Sequence, residues 1–159
     1  MEKGRLKPQN ENFAQAVFDS FEKQYIMKSM GASLSRVSIG ECEIILPFGN
    51  HLTQQHGYLH AGVIATIADS AAGYAAFTLS PSNASVLTTE FKINLLSPAI
   101  GEKFIARAKI LRAGRSLQIV TSEVFAVENC QEKLCAFLTA TIMTMPNRPE
   151  KVNIRDKGD

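Results

Sequence analysis

Residues 60–77, HAGVIATIADSAAGYAAF, decide the fold. The stretch is almost wholly apolar, which predicts a helix that continues to about residue 79 and ends at Pro81 and Asn83. Small residues on all sides of this helix would let a sheet pack closely around it. They are Ala65, Ala68, Ala71, Ala72, Gly73, Ala75 and Ala76. The sequence therefore predicts a central helix that is buried on nearly every face.

Strand patterns lie on both sides of this helix. Alternation with a period of two predicts a strand directly after it, with one set of side chains on each face. Leu87, Thr89, Phe91, Ile93 and Leu95 are predicted on one face, and Thr88, Glu90, Lys92 and Asn94 on the other. Residues 103–112 and 116–128 predict a hairpin around residues 113–114, and residues 133–145 a last strand. Before the helix, residues 33–39 and 41–48 predict a strand pair split at Gly40.

A helix is predicted at the N-terminal end. Phe13, Val17, Phe21 and Tyr25 recur every four residues within residues 10–28, and residues 12 and 15 resemble a capping box. Short turns between the late strands indicate a mostly antiparallel sheet. The parts predict one α+β domain over residues 1–145, in which a curved six-stranded sheet wraps around the central helix. Residues 146–159 form a polar C-terminal tail.

Composition excludes several classes of function. A net charge of +2 is too small to indicate a nucleic-acid partner, and the absence of Trp disfavours base stacking. An odd count of three cysteines predicts buried thiols and a reducing, cytoplasmic location rather than a disulfide framework. No apolar segment follows the basic N-terminal residues, so no signal peptide is expected. A membrane span over residues 61–79 is disfavoured because Asp69 at mid-bilayer would cost about 3 kcal/mol.

Asp69 is the unusual residue of the central helix. A buried carboxylate without a partner is costly, so its presence in an apolar helix requires a reason. One reading is structural, with Asp69 paired to an arginine or backbone amides or facing solvent. The other reading is a catalytic base or nucleophile with a shifted pKa. The residue by itself leaves both open.

His60 at the start of the helix introduces a spacing constraint. It lies nine residues before Asp69, about 13 Å along one helix. The two side chains therefore cannot both touch one reacting carbonyl within a single chain. Either they are unrelated, or a two-fold dimer pairs the His60 end of one helix with Asp69 of the other and creates two equal sites. An ordinary capping histidine is the alternative reading of His60.

The start of the helix is also suited to binding an oxyanion. The first backbone N–H groups of a helix, here those of residues 60–62, lack intrahelical partners and lie at the positive end of the macrodipole. Gly57 and Gly62 would let a ligand approach the backbone closely. His56, in the preceding loop, is expected to be exposed and incidental.

These residues together resemble a known family. Gln54, Gly57, the turn His60-Ala61-Gly62, Asp69 and a following strand that ends in LLSPA are similar to the hotdog-fold acyl-CoA thioesterases of the PaaI-type branch. The resemblance covers roughly residues 40–145. It implies a sheet wrapped around a central helix, and a homodimer or homotetramer with active sites at the dimer interface. It also implies an acyl-CoA substrate and no cofactor or metal.

The resemblance implies roles for individual residues. Asp69 would activate water or attack the thioester, and Thr88 would position the water. The Ala61 N–H would hold the thioester oxygen, with His60 orienting that turn. Gln54, where the family commonly has Asn, would orient the water or the substrate carbonyl. The family turn is usually His-Gly-Gly, so the Ala61 methyl would crowd the carbonyl site.

The phosphates of coenzyme A require cations. Arg112 and Arg115 flank the turn RAGRS, where Gly114 permits close approach, and the family places phosphate contacts near this turn. A solvated basic turn is the alternative. Tyr74 and Phe77 are candidates for lining an acyl tunnel, although aromatic residues in helices are more often plain core.

The predicted function is hydrolysis of an acyl-CoA thioester by Asp69, with the amides at the start of the helix as oxyanion hole. No His, Cys or Asp cluster has metal-ligand spacing, and no glycine-rich phosphate loop occurs. A non-catalytic acyl-CoA-binding or sensing domain is the alternative, but it would have no use for Asp69 and Thr88. A hotdog hydratase or dehydratase would need a different arrangement of His and acid.

Overall fold

A computed structural model describes residues 6–148, and the predicted tail beyond residue 148 lies outside the described residues. Three α-helices and six strands follow one another along the chain. They are α1 (Phe13–Phe21), α2 (Tyr25–Met30), β1 (Ser33–Ser38), β2 (Glu41–Pro47), α3 (Ala61–Phe77), β3 (Ser85–Leu95), β4 (Lys103–Ala113), β5 (Leu117–Glu128) and β6 (Gln131–Met145). A short 3₁₀ turn, Asn50–Leu52, precedes α3.

The six strands form one antiparallel sheet in the order β1-β2-β4-β5-β6-β3. The long helix α3 contacts β2, β3, β4, β5 and β6, so the sheet wraps around it. Its buried side chains include Ile64, Ile67 and Ala68, which join the core of the sheet. The predicted α+β class, the six antiparallel strands and the central helix are confirmed.

One stripe of α3 is not covered by the sheet, which corrects the prediction of burial on nearly every face. Five half-buried residues form this uncovered stripe: Ala65, Thr66, Asp69, Ser70 and Gly73. They recur at spacings of three and four, so they share one side of the helix. The small residues on the opposite side, such as Ala71 and Ala75, are fully buried. The polar residues of α3 are thus collected where the sheet leaves a gap.

The N-terminal helix is two helices rather than the one predicted over residues 10–28. Gln24 has φ −79° and ψ 97°, an extended conformation that interrupts the helix between α1 and α2. The predicted capping box is also wrong, because the Asn12 side chain makes no capping hydrogen bond and Gln15 bonds to Asp19 at 2.8 Å. Because of the break, Gln24 lies beside α3, where its Oε1 accepts a 3.4 Å hydrogen bond from Ser70.

A β-bulge corrects the predicted faces of β3. Its pairing with β6 shifts between Thr88 and Glu90, which inserts one residue into the strand. Thr88 and Ile93 consequently both point toward the core side, although five residues separate them. In a regular strand such a pair would lie on opposite faces. The bulge is therefore what allows Thr88 to face α3.

Two of the three cysteines match the prediction of buried thiols. Cys42 and Cys135 are buried, whereas Cys130 is exposed. Cys130 has φ 61° and follows Asn129, with φ 48°, in the tight turn between β5 and β6. These two residues lie between the predicted strands 116–128 and 133–145, and the chain reverses at them.

Candidate active site

Asp69 and Thr88 form a hydrogen-bonded pair between the central helix and the sheet. The Thr88 hydroxyl on β3 donates to Asp69 Oδ1 at 2.8 Å. Partial burial raises the pKa of the Asp69 carboxyl, and the hydrogen bond from Thr88 opposes part of that rise. Asp69 is therefore a more basic carboxylate than an exposed aspartate, and it is held in one orientation.

Two cavities meet at Asp69. The inner cavity, about 280 Å³, lies between the N-terminal helices, α3 and the start of β3, and its lining includes Ser20, Gln24, Gly73, Tyr74, Val86 and Thr88. The outer groove, about 600 Å³, runs along the uncovered stripe toward the start of α3, and its lining includes Ile26, Gly62, Ala65, Thr66 and Phe91. Ser70 and Gln24 border both spaces. A small molecule can thus reach the Asp69 carboxylate from two directions.

The helix-start turn, residues 60–62, offers one backbone amide for binding. The His60 N–H donates to Leu52 O at 2.9 Å, and the Gly62 N–H donates to His60 Nδ1 at 2.9 Å. His60 is the N-cap of α3, so the predicted capping role is what the structure has. Of the three amides predicted as oxyanion donors, only that of Ala61 has no acceptor among residues 6–148. His60 thereby fixes the turn and leaves the Ala61 N–H for a ligand.

Gln54 lies in the loop that faces this turn. A third space, the loop cavity of about 410 Å³, is lined by Gln54, Tyr58, Ala61 and Leu95 among others. The Gln54 side-chain oxygen accepts a hydrogen bond from the His56 N–H, and its backbone N–H donates to Tyr58 O at 2.9 Å. Gln54 and Ala61 therefore line the same cavity, while the side-chain oxygen of Gln54 is held within its own loop. His56 is exposed, as predicted.

The structure does not bring Ala61 and Asp69 together within one chain. They are eight residues apart on a continuous helix, about 12 Å along its axis. Asp69 lines the inner cavity and the outer groove, whereas Ala61 lines the loop cavity. The predicted site residues consequently fall into two groups, Asp69 with Thr88 and Ala61 with Gln54 and His60.

The basic hairpin lies apart from the helix-start turn. Arg112, Gly114 and Arg115 are all exposed in the turn between β4 and β5. Gln118 at the start of β5 donates to Ala76 O at 3.3 Å, which places this hairpin near the C-terminal end of α3. Gly114 is required there, because a Cβ would lie 2.5 Å from Leu117 O. The two arginines therefore form a solvent-facing pair at the far end of the helix.

Besides the candidate catalytic residues, sequence reasoning named one of the residues that shape the inner cavity, Tyr74, as a candidate tunnel residue and missed the others. Tyr74 is buried, its hydroxyl shares a 3.2 Å hydrogen bond with Ser20, and its ring lies 5.8 Å from that of Phe21. Gly73 was predicted only as a small packing residue. Its spacing of four residues from Asp69 was the available signal, because residues at i and i+4 share one face of a helix. Gln24 could not be found in this way, since it reaches α3 only through the break between α1 and α2.

Two further properties concern metals and membranes. Within residues 6–148, no three His, Cys, Asp or Glu side chains are grouped closely enough to hold a metal ion. Over the same residues, none of the helices has the length and apolar character that crossing a membrane requires.

The fold defines a class, the hotdog-fold thioesterases. A family model described as "Thioesterase superfamily" matches residues 56–131, which include the helix-start turn, Asp69 and Thr88. A crystal structure of a thioesterase family protein from Silicibacter pomeroyi is 45% identical in sequence, with a TM-score of 0.83, and the match covers 84% of this chain and 98% of that one. The chain belongs to the thioesterase superfamily, and it is a thioester hydrolase.

More distant structures share the fold. A thioesterase from Haemophilus influenzae is 20% identical with a TM-score of 0.77, and the match covers 93% of this chain and 100% of that one. The PaaI protein of Escherichia coli, from the phenylacetic acid degradation operon, is 17% identical with a TM-score of 0.78, covering 89% of this chain and 99% of that one. The predicted hotdog fold is confirmed by these likenesses.

Proposed function

We propose that the protein hydrolyses acyl-CoA thioesters, with Asp69 as the base or nucleophile. The observation that carries this proposal is the Asp69–Thr88 pair at the meeting point of two cavities. A structural aspartate would be expected to pair with a cation, but the only side chain that bonds to Asp69 within residues 6–148 is the neutral Thr88. Such a carboxylate retains its basicity, which suits the activation of a water molecule.

The Ala61 N–H would stabilise the oxyanion. It lies at the positive end of a 17-residue helix and has no acceptor within residues 6–148. Gly62 keeps the turn accessible, because a Cβ at this position would come within 3.0 Å of His60 Nδ1. His60 would position the turn, and Gln54 would orient the substrate carbonyl from the same cavity. A backbone donor of this kind is worth about 10²–10³ in rate.

The two groups would meet across a dimer. Strand β3 lies at an edge of the sheet, and its exposed apolar side chains Leu87 (52%), Phe91 (44%) and Leu95 (52%) are unusual for an edge in contact with water. Pairing of this edge with that of a second copy would set the two α3 helices side by side and antiparallel. Ala61 of each chain would then approach Asp69 of the other, and two equal sites would form. The same arrangement is compatible with a tetramer built from two such dimers.

The phosphates of coenzyme A would bind at the β4–β5 turn. Arg112 and Arg115 supply exposed cations there, and Gly114 keeps the turn narrow. In the antiparallel dimer, the partner's helix-start turn faces the C-terminal half of α3, which is the half near this hairpin.

The three cysteines are free thiols, as expected for a cytoplasmic protein.

The reaction would proceed by attack on the thioester carbonyl carbon. An oxygen from water deprotonated by Asp69, or from Asp69 itself, forms the new C–O bond. The carbonyl oxygen becomes an oxyanion held by the Ala61 N–H. Its collapse breaks the C–S bond. On the water route the CoA thiolate takes up the proton that Asp69 removed from water, and on the direct route the thiolate takes a proton from solvent water. Where Asp69 attacks directly, water then hydrolyses the acyl-enzyme. Single-turnover hydrolysis in isotopically labelled water distinguishes the two routes.

The test is thiol release from a panel of acyl-CoAs by the wild type and by Asp69→Asn. Asparagine keeps the shape of the side chain and removes the base, so kcat should fall by about a hundredfold or more. Equal activity of the two proteins would refute the role of Asp69. Binding of acyl-CoA without thiol release by the wild type would identify a non-catalytic binding domain instead.

A further inference from the structure

The inner cavity contains a gap beside Asp69 that a single glycine creates. Gly73 follows Asp69 by four residues on the uncovered stripe, and a Cβ added to it would meet no heavy atom within 4 Å. Strand β3 contributes Val86, Leu87 and Thr88 to the lining of the same cavity. Gly73 is therefore not needed for close packing of α3 against the sheet. Since glycine costs stability inside a helix, its presence at this open position requires a different reason.

We propose that the space over Gly73 is the acyl-binding pocket and that Gly73 sets the size of the acyl group. This inference rests on the proposed thioesterase function of Asp69. An acyl group whose carbonyl carbon lies at Asp69 would extend over Gly73 toward Tyr74. Gly73 determines specificity because any side chain there would occupy the space that the acyl group needs.

The far end of this pocket is closed by α1. The Tyr74 ring packs at 5.8 Å from Phe21, and the Tyr74 hydroxyl is hydrogen-bonded to Ser20 at 3.2 Å. Tyr74 and Ser20 are both buried, so this floor is a fixed part of the core. The cavity volume of about 280 Å³ is roughly twice that of an engineered cavity of ~150 Å³ that accepts benzene. The pocket thus fits a short-chain or single-ring acyl group and excludes long fatty acyl chains.

The outer groove is the competing location for the acyl group. It contains Ile26 and Phe91, which are 52% and 44% exposed in the single chain. These side chains lie on the side where the proposed partner would pack, so the partner would fill much of that groove. The inner cavity is instead lined by α1, Gln24, α3 and β3 of one chain, and of its lining residues Leu87 is the one that belongs to the exposed edge the proposed partner would cover. The inner cavity is therefore the space available for the acyl group.

The test compares variants that fill one space or the other. Gly73→Ala and Gly73→Leu project into the inner cavity, and the leucine would lie over Asp69 because helical side chains point toward the N-terminus. Ala65→Leu is the matched variant in the outer groove. For each protein, kcat/KM is measured with straight-chain acyl-CoAs from acetyl to hexadecanoyl. Thermal unfolding and size-exclusion chromatography check folding and assembly, and the alanine variant is expected to fold because alanine is the better helix former.

The wild type should prefer hexanoyl-CoA over hexadecanoyl-CoA by about tenfold or more. Gly73→Ala should lower the ratio of hexanoyl to acetyl kcat/KM by about threefold and Gly73→Leu by about tenfold, because each added side chain takes up space that the longer acyl group needs. Ala65→Leu should change this ratio by less than about twofold. A shifted ratio in Ala65→Leu but not in the Gly73 variants would overturn the proposal, and so would a wild-type preference for hexadecanoyl-CoA.

Failure of the proposed function has a separate signature. If the wild type releases thiol from no acyl-CoA, hydrolysis is refuted, and calorimetric binding of hexanoyl-CoA then tests the pocket alone. Binding weakened about tenfold by Gly73→Leu and unaffected by Ala65→Leu would support the pocket. Equal affinities of the wild type and Gly73→Leu would overturn it.

Discussion

A site shared between two chains can be tested by complementation between two inactive variants. The first, Asp69→Asn, removes the proposed base. The second, Ala61→Pro, removes the proposed oxyanion donor, because proline has no backbone N–H. Ala61 is the first residue of α3, a position that proline tolerates well, and His60 already has the extended backbone, φ −64° and ψ 137°, that precedes proline. Ala61→Pro should therefore fold normally while its activity falls by about 10²–10³.

The recovered activity follows from counting sites. In the proposed dimer, each site would take Asp69 from one chain and Ala61 from the other. In a mixed dimer, one site carries both substitutions and the other carries neither. Refolding the two variants together in equal amounts makes about half of the dimers mixed, so about one quarter of all sites are intact. The mixture should therefore regain about 25% of wild-type kcat, with KM unchanged.

The assay is thiol release by each variant alone, by a simple mixture of folded proteins and by the co-refolded mixture. Activity that appears only after co-refolding supports the shared site. A co-refolded mixture no more active than the separate variants would refute it, because a site within one chain would be inactive in every chain. Ala61→Gly is the matched control for the amide, since it retains the N–H. It should be about a hundredfold more active than Ala61→Pro.

Three further predictions concern the Thr88 hydroxyl, the edge strand β3 and the ion pair between Arg107 and Glu43. Thr88→Val should lower kcat/KM about tenfold and move the acidic limb of its pH profile to higher pH. Burial already raises the pKa of Asp69, and the variant loses the hydrogen bond that opposes this rise. An acidic limb that does not move would exclude Asp69 as the titrating base. Phe91→Glu should give a monomer in sedimentation and abolish activity, since it places a charge on the apolar edge strand; an active monomer would contradict the shared site. Arg107 contacts Glu43 at 2.6 Å. Burial raises the pKa of Glu43, but hydrogen bonds and the charge of Arg107 lower it overall. The ion pair therefore stabilises the fold above the ordinary glutamate pKa, and this stabilisation is lost as the pH falls below it. Arg107→Met should lower the free energy of unfolding by about 1 kcal/mol at neutral pH and by less below about pH 4 in urea titrations, whereas a loss independent of pH would contradict the ion pair.

The regular elements could be predicted from the sequence because their patterns depend on local periodicity. The apolar run around Asp69 predicted α3, and Gly40, with φ 75°, predicted the turn between β1 and β2. The deviations depend on contacts between distant segments. The bulge after Thr88 arises from the pairing of β3 with β6, and the break at Gln24 sets two helices against α3. Neither the bulge nor the break can be recognised in the alternation of apolar and polar residues.

The sequence identified some residues of the candidate site and not others. His60 and Asp69 were singled out because a histidine and an aspartate are unusual in an apolar helix, and their spacing left two readings, unrelated residues or a site shared between two chains. The sequence could not show which amide of the helix-start turn is available, because that depends on the hydrogen bond from Gly62 to His60. Gly73 was overlooked because glycine in a run of alanines looks like one more small residue. Its role becomes visible only when the space beyond it is known.

The uncovered stripe connects assembly with chemistry. A sheet that surrounded α3 completely would bury Asp69 and exclude substrate, whereas the six strands leave the one side of the helix that carries Asp69, Ser70 and Gly73 half-buried. In the single chain, water can reach that carboxylate and restrains the rise in its pKa. Packing of a second copy along this side would remove water from Asp69 and bring the partner's helix-start turn to it. Loss of water would raise the pKa of Asp69, so this carboxylate would become a stronger base as the oxyanion site forms. In the proposed dimer, the gap in the sheet is therefore the place where the second chain would complete the site.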